Sequence, residues 1–244
     1  MYATARNPAD IETLGERGCE LATLDVTDGD DVDRVVNRLL DAEGRIDCLV
    51  NNAGYARFGP VEDLPVERVR EQYDVNVHGL HRLTRAVLPH MRREGDGTIV
   101  NLSSVAGRVA FPDGAAYCGS KFAVEAMSDA LRNEVREFGI DVVVIEPGPV
   151  DTGFVDRADT EVDELDRTGA YDGFYDAWGD VRALGDGPGT ITPERVADDV
   201  VNAASATKPA ARYQSGTLAR VGVLARFLPD SVRDAGFRIV DRLA

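Results

Sequence analysis

Residues 140–149, which decide the fold, read IDVVVIEPGP. Ile140–Ile145 is an almost unbroken run of β-branched residues, which is typical of a strand buried on both faces. A long helical pattern over Ala115–Phe138 precedes it, and Gly139 stands between the two in the position of a helix-terminating glycine. A helix that leads into a continuously apolar strand predicts a parallel sheet covered by helices.

The same alternation extends over the rest of the chain. Its apolar patterns predict strands at Tyr2–Ala5, Glu20–Leu24, Ile46–Val50 and Thr98–Leu102, and helices at Ala9–Arg17, Asp30–Glu43, Val66–Arg92 and from Thr192-Pro193-Glu194 onward. The predicted fold class is α/β, a Rossmann-like, doubly wound parallel sheet in three layers. Since no linker or repeat divides residues 1–244, a single domain is expected.

Composition excludes several classes of protein. No apolar run of about eighteen residues could span a membrane. The 43 acidic and 27 basic residues give a net charge of −16, which argues against a nucleic-acid surface. Such a self-repelling surface favours a halophilic protein that works in concentrated salt, the alternative being an ordinary acidic one. The first residues do not form a signal-peptide pattern, so a cytoplasmic location is expected.

Neither a disulfide nor a metal site is expected. Cys19, Cys48 and Cys118 are odd in number and have no CxxC spacing. His78 and His81 lie three apart on a predicted helix without a third ligand, which favours a solvated helix face.

Polar residues follow several of the predicted strands. In a doubly wound sheet, ligands bind beyond the carboxyl ends of the strands. Those ends carry Asp25, Asn51–Gly54, Ser103-Ser104 and Pro147–Thr152. We therefore expect these segments to line one edge of the sheet.

Tyr117 and Lys121, with Ser104 ahead of them in the chain, indicate acid/base chemistry. Residues four apart on a helix share a face, so the phenol and the ammonium are expected to point the same way. The positive charge is expected to lower the phenol pKa from its ordinary value of about 10. Such a tyrosine suits proton exchange with a carbonyl or alcohol oxygen, which Ser104 is placed to hydrogen-bond. The alternative is a coincidence on an amphipathic helix.

Five motifs together resemble the short-chain dehydrogenase/reductase family. They are Asn51-Asn52-Ala53-Gly54, Asn76 within Asp74–Gly79, Asn101-Leu102-Ser103-Ser104, Tyr117-x-x-x-Lys121 and Pro147–Thr152. One alone is weak, but all of them in the family's order and spacing are specific. The resemblance covers residues 2–152 strongly and the rest loosely. It implies a Rossmann fold and nicotinamide-dependent interconversion of a carbonyl and a secondary alcohol.

The resemblance also implies roles for single residues. Tyr117 would be the catalytic acid/base, and Ser104 would orient the substrate oxygen. Lys121 would hold the nicotinamide ribose and lower the tyrosine pKa, and Asn76 would support a water relay behind it. Besides Tyr117 and Lys121, the implied dinucleotide contacts are Asp25 and Val26 at the adenine, Asn52, Ala53 and Gly54 on the adenosine side, and Pro147, Gly148 and Thr152 at the nicotinamide end, with Val150 beside them.

NADP(H) is favoured as the cofactor, with NAD as the second choice. NAD enzymes of this fold usually place an acidic residue at the end of the second strand, where it holds the ribose 2′-hydroxyl. Here that place falls at Thr4-Ala5, and Arg6 follows at once. A guanidinium there would pair with a 2′-phosphate. The alternative is an exposed arginine at the start of a loop.

The chain departs from the family pattern at its start. The glycine-rich phosphate loop of the pattern TGxxxGxG is absent, and Tyr2–Ala5 matches the second strand of the family. The sequence therefore predicts that a first strand–helix unit of about 35–40 residues is missing. A native protein about 4 kDa heavier than the 26.4 kDa of this sequence would contain that unit. A native mass of 26.4 kDa would favour the alternative, a non-catalytic dinucleotide-binding or interaction protein.

Two later segments are interpreted through the same resemblance. Residues 153–190 are expected to form a mobile substrate lid. Its aromatic residues either line a pocket for a bulky apolar substrate or pin the lid to the domain: Phe154, Tyr171, Phe174, Tyr175 and Trp178. Leu218–Leu243 mixes apolar residues with arginines, which favours helices packed on the domain or at a subunit contact over a membrane surface. A homo-oligomer that acts on a small molecule is expected.

Overall fold

The computed structural model describes residues 1–176, 178 and 189–240. Strands and helices alternate along them in this order: β1 (Tyr2–Ala5), α1 (Glu12–Glu16), β2 (Glu20–Thr23), α2 (Gly29–Glu43), β3 (Cys48–Asn51), α3 (Val66–Tyr73), α4 (Leu80–Glu94), β4 (Gly97–Leu102), α5 (Ala115–Val135), β5 (Ile140–Pro147), α6 (Phe154–Asp163), α7 (Pro193–Ser205), β6 (Arg212–Ser215), α8 (Thr217–Gly222) and α9 (Asp230–Val240). None of the helices in this part of the chain is long and apolar enough to cross a membrane.

The strands form parallel sheets. β1 pairs with β2, and β3, β4, β5 and β6 follow one another in a four-stranded sheet. Asn51 of β3 lies opposite Asn101 of β4, and Val100 lies opposite Val143 of β5. This register brings the carboxyl ends of β3, β4 and β5 to one edge, as the strand-end residues predicted.

Alternate residues of β4 and β5 point to opposite faces of the sheet. Ile99 and Val142 pack in a cluster with residues of α2 and α4, whereas Val100 and Val143 pack with Ala203 of α7. All four strand residues are at most 2% exposed. Since helices cover both faces, the three-layer α/β prediction is confirmed.

The two sheets are not joined by a ladder in the described residues. The backbone pairs of β1 are with β2, and those of β3 are with β4. Val50 in β3 stays 40% exposed, although the remainder of this sheet is largely buried. The missing first strand stays a prediction; a parallel strand between β1 and β3 is compatible with both unpaired edges.

Several predicted boundaries were wrong. The single helix expected over Val66–Arg92 is divided into α3 and α4 by a π-helical segment at Asp74–Gly79. The helical period continues through the segment, so the apolar pattern does not reveal it. The helix expected over Ala9–Arg17 is a 3₁₀ turn, Pro8–Ile11, followed by the short α1.

Other boundaries moved by one to three residues. The strand expected at Ile46–Val50 begins at Cys48, because Ile46 is buried in the core without a partner in the ladder. α5 ends at Val135, and a 3₁₀ turn runs from there to Gly139. Gly139 adopts a φ of 69°, so its role as the terminating glycine is confirmed.

Candidate active site

A cavity of about 690 Å³ opens at the carboxyl ends of β3, β4 and β5. Its wall is apolar, with Phe58, Phe111 and Phe154 around the ring of Tyr117. The Phe58 and Phe154 ring centroids each lie 5.6 Å from that of Tyr117. We refer to it as the substrate cavity.

Ser104, Tyr117 and Lys121 all line the substrate cavity. Tyr117 and Lys121 lie in the first two turns of α5, and the Lys121 Nζ atom is 5.9 Å from the centroid of the phenol ring. Ser104 lies close enough to the Tyr117 phenol to lower its pKa, and the Ser104 Oγ accepts from the amide of Ala106 at 3.1 Å. The spacing therefore predicted correctly that these side chains would meet.

The expected direction of the tyrosine pKa was wrong for this structure. Complete burial raises the pKa of Tyr117 to about 12, against which the hydrogen bond from Ser104 acts. Burial also lowers the pKa of Lys121 to about 8, and the charge of Glu125 opposes that shift. Desolvation of the phenolate thus outweighs the contribution of Ser104 that favours it, so that the phenol is protonated at neutral pH.

Asn76 lies just behind the cavity wall, in the π-helical segment. Its Nδ2 donates to the Tyr55 carbonyl at 2.9 Å and to Ser120 Oγ at 3.0 Å, and its Oδ1 accepts from the Tyr55 amide at 3.0 Å. A Cβ on Gly54 would stand 3.1 Å from this Oδ1 and 3.6 Å from Lys121 Nζ. Glycine thus keeps the space beside Lys121 open.

A second cavity of about 860 Å³ lies at the ends of β1, β2 and β3, and we call it the dinucleotide cavity. The predicted residues Arg6, Asp25, Val26 and Asn52–Gly54 line it. Asn52 and Gly54 also line the substrate cavity, so the two adjoin.

Asp25 has a structural role in this wall. Its Oδ1 accepts from the backbone amide of Thr27 at 2.9 Å and from the Thr27 hydroxyl at 2.7 Å. These bonds, with a smaller contribution from Arg6, lower the pKa of Asp25. The carboxylate therefore closes an Asx turn, and the turn shapes the cavity edge.

The predicted residues after β5 lie at the substrate cavity. Pro147, Gly148, Val150 and Thr152 all line it. A Cβ on Gly148 would stand 3.3 Å from the Ala219 amide nitrogen, so glycine permits the close approach of α8. In the described part of the chain no group of three histidine, cysteine or acidic side chains could hold a metal.

Comparisons with known proteins give one family. The family profile described as short chain dehydrogenase matches residues 3–163. The chain belongs to the short-chain dehydrogenase family. The uncharacterized oxidoreductase YbbO of Escherichia coli K12 is 35% identical over 238 residues, which is 96% of this chain and 83% of that protein.

Two solved structures resemble this short-chain dehydrogenase. One is a short-chain dehydrogenase from Streptomyces avermitilis, with a TM-score of 0.79 and 33% identity over 99% of this chain and 87% of that one. The other is a gluconate 5-dehydrogenase from Burkholderia cenocepacia in complex with NADP and tartrate. Its TM-score is 0.61, with 28% identity over 70% of this chain and 67% of that one. This dehydrogenase is thus an NAD(P)-dependent oxidoreductase of the CH–OH/C=O class.

The lid expected over residues 153–190 falls partly outside the described residues. In its described part, Phe154 lines the substrate cavity. The Tyr175 hydroxyl donates to Asp63 Oδ2 at 2.7 Å, and the Tyr171 hydroxyl donates to Glu62 at 3.0 Å. Phe154 thus lines the cavity, whereas Tyr171 and Tyr175 bond the segment to the domain; that the segment is a substrate lid stays a prediction.

The sequence argument named Asn51 and Asn101 as motif residues but did not predict their pairing, and it missed an ionic cluster of this dehydrogenase. Asn51 and Asn101 are buried and joined by a hydrogen bond of 2.9 Å from Nδ2 to Oδ1, across β3 and β4. Glu125 and Glu146 are buried with Arg108 and Arg212, next to the catalytic helix. Glu146, which directly follows the apolar run of β5, was a visible signal in the sequence, because a buried carboxylate requires a partner.

Proposed function

We propose that this dehydrogenase interconverts a bulky, apolar ketone and the corresponding secondary alcohol with NADP(H), and that Tyr117 is the acid/base. The observation that carries the proposal is the placement of Ser104, Tyr117 and Lys121 together at the aromatic wall of the substrate cavity. A carbonyl oxygen placed against Ser104 and Tyr117 can receive a hydrogen bond from the serine and a proton from the phenol.

Each side chain has a distinct task in the proposed reduction. The nicotinamide, when bound, supplies the hydride to the carbonyl carbon. Tyr117 donates its phenolic proton to the developing alkoxide, and its raised pKa keeps that proton available at neutral pH. Lys121, charged below pH of about 8, lies 5.9 Å from the phenol ring and stabilises the phenolate that remains.

The dinucleotide cavity suits an adenosine phosphate. Arg6 lies at the end of β1 and lines the cavity, where its guanidinium is available to a 2′-phosphate. Gly54 leaves an open backbone between the two cavities. NADP(H) is therefore the proposed cofactor, with Lys121 and the Pro147–Thr152 segment on the nicotinamide side.

The substrate class follows from the walls of the substrate cavity. Phe58, Phe111 and Phe154 surround Tyr117, and Val105 and Val150 extend the apolar lining. Burial of apolar surface favours the substrate by about 25 cal/mol per Å². Among the described residues of this wall, Lys121 is the single charged side chain. One cation would leave most of the charge of a polyanionic substrate uncompensated, which disfavours such substrates.

Replacing Tyr117 with Phe tests the proposal. We expect kcat/KM for NADPH-dependent ketone reduction to fall by at least about 10³-fold, because the phenol is the proton donor. NADPH affinity, measured by fluorescence titration, should fall far less than kcat/KM, because the rest of the dinucleotide cavity is untouched. Tyr73→Phe is the control, since its hydroxyl lies against Gly119 rather than in the cavity. Undiminished turnover by Tyr117→Phe would show the mechanism to be wrong, and inactivity of the unsubstituted protein would favour a non-catalytic binding protein.

A further inference from the structure

A buried ionic cluster adjoins the catalytic helix. Two carboxylates, Glu125 and Glu146, are 5% and 0% exposed. Arg108, which follows β4, and Arg212 of β6 each contact both carboxylates at 3.1 to 3.4 Å. A cluster with two charges of each sign is nearly neutral, so the pairing of the charges offsets the free-energy cost of removing them from water.

Glu125 occupies a particular place in this cluster. It lies one turn after Lys121 on α5, so the two side chains share a helix face. Its Oε2 accepts from Arg108 Nη1 at 3.3 Å and from Arg212 Nε and Nη2 at 3.2 and 3.1 Å. Its Oε1 is buried with no hydrogen-bond partner. The carboxylate is thus anchored on one oxygen beside a buried lysine.

Few other charges face this lysine from the described residues. Lys121 Nζ donates to the Leu102 carbonyl at 2.9 Å, and both this Nζ and the Asn76 Oδ1 lie within 4 Å of the position that a Cβ on Gly54 would take. On its own helix the titratable neighbours are Tyr117 and Glu125.

We propose that Glu125 is a positioning residue, whose buried carboxylate keeps the Lys121 ammonium charged beside Tyr117. Charges interact over more than one helical turn where burial lowers the effective dielectric constant to roughly 20. Burial lowers the pKa of Lys121, and the negative charge of Glu125 opposes that shift. The consequence for catalysis depends on the function proposed above, whereas the electrostatic coupling does not.

The charged groups around Glu125 determine how strongly its carboxylate influences the Lys121 ammonium. Arg108 faces it from the segment after β4, Glu146 from β5 and Arg212 from β6. On α5 itself, Asp129 binds the same Arg212 at 2.7 Å. Removing the Glu125 charge leaves the two guanidiniums facing the buried Glu146 and the half-exposed Asp129, so the cluster becomes more positive and no longer attracts the ammonium.

The chain permits a direct test, because Lys121 and Lys208 are its only lysines. Protein grown with lysine labelled with ¹³C at the ε carbon gives two lysine signals, and Lys208→Arg assigns them. We expect the Lys121 midpoint near pH 8 to fall by roughly one pH unit in Glu125→Gln. Glu134→Gln is the control on the same helix, exposed and outside the ion pairs of this cluster, and should leave the midpoint in place.

If Glu125→Gln does not fold, a second variant that changes the cluster charge in the opposite direction provides the test. Arg212→Gln removes a positive charge from the cluster, so the Lys121 midpoint should rise. An unmoved midpoint in the folded variants would overturn the proposal, and Glu125→Asp should restore the wild-type value. Since the readout needs neither substrate nor cofactor, its failure is distinct from that of the proposed function.

Discussion

At the scale of residues, Tyr117 and Lys121 illustrate how burial changes the pKa values of the proposed catalytic pair. The pKa values of the two groups move apart, to about 12 and about 8, because each is desolvated in its charged form. At neutral pH the phenol keeps its proton and the lysine is mostly charged. This combination is suited to reduction of a ketone, in which the phenol begins as the acid.

Arg6 determines the cofactor prediction at this scale. We expect Arg6→Gln to weaken NADPH binding by roughly 10- to 100-fold, because a charge-assisted bond to phosphate is worth about 1.5–3 kcal/mol. NADH binding should stay within about twofold. Fluorescence titration of each dinucleotide measures both, with Arg17→Gln, exposed at the end of α1, as the control. An equal loss for the two dinucleotides would contradict the assignment of Arg6 to the 2′-phosphate.

At the scale of elements, the π-helical segment between α3 and α4 places Asn76. The segment carries an asparagine that binds the backbone of Tyr55 through both ends of its amide. The loop after β3, which contains Gly54 and Tyr55, is thereby fixed beside α5, where Ser120 accepts the second amide hydrogen. Local widening of a helix thus connects two elements of the site.

The segment after β5 is attached to the domain by hydrogen bonds as well as aromatic packing. We expect Tyr175→Phe to raise KM for an apolar ketone by roughly 5- to 20-fold and to change kcat less. The substitution removes a bond to the buried Asp63 carboxylate, worth about 1–2 kcal/mol, and keeps the ring contact with Phe174, whose centroid is 5.0 Å away.

Tyr171→Phe is the matched control for this element. Its hydroxyl binds Glu62 in an exposed position, where such a bond contributes little. A steady-state KM within about twofold of wild type is expected. Equal effects of the two substitutions would show that the Asp63 contact does not hold the segment in place.

At the scale of the whole molecule, charge and sheet organisation set the conditions for stability. A net charge of −16 opposes compaction, and salt shortens the range of that repulsion from about 10 Å at 0.1 M to about 3 Å at 1 M. The separate two-stranded sheet of β1 and β2 has less backbone pairing than the four-stranded sheet to resist it.

We therefore expect the melting temperature to rise with sodium chloride. Between 0.1 and 2 M the increase should be at least about 3 °C, which corresponds to about 1 kcal/mol for a chain of this size. Differential scanning calorimetry at constant pH measures it, with sucrose as a control for cosolvent exclusion. A melting temperature that is flat or falls with salt would refute the halophilic interpretation.

The sequence by itself determined the alternation of strands and helices, the edge of the sheet that carries the site and the meeting of Ser104, Tyr117 and Lys121. These follow from periodicity and from the four-residue repeat of a helix, which are local properties of the chain. The π-helical segment could not be predicted from the sequence, because one extra residue in a helical turn hardly alters the apolar pattern.

Only the tertiary structure decided the electrostatics and the walls of the site. The direction of the Tyr117 pKa depends on how much water is removed from the phenolate, and this depends on Phe58, Phe111 and Phe154 from three distant segments. The link of Glu125 and Glu146 to Arg108 and Arg212 likewise joins four elements. Desolvation and long-range charge pairing are sums over neighbours in space, and a linear pattern does not contain them.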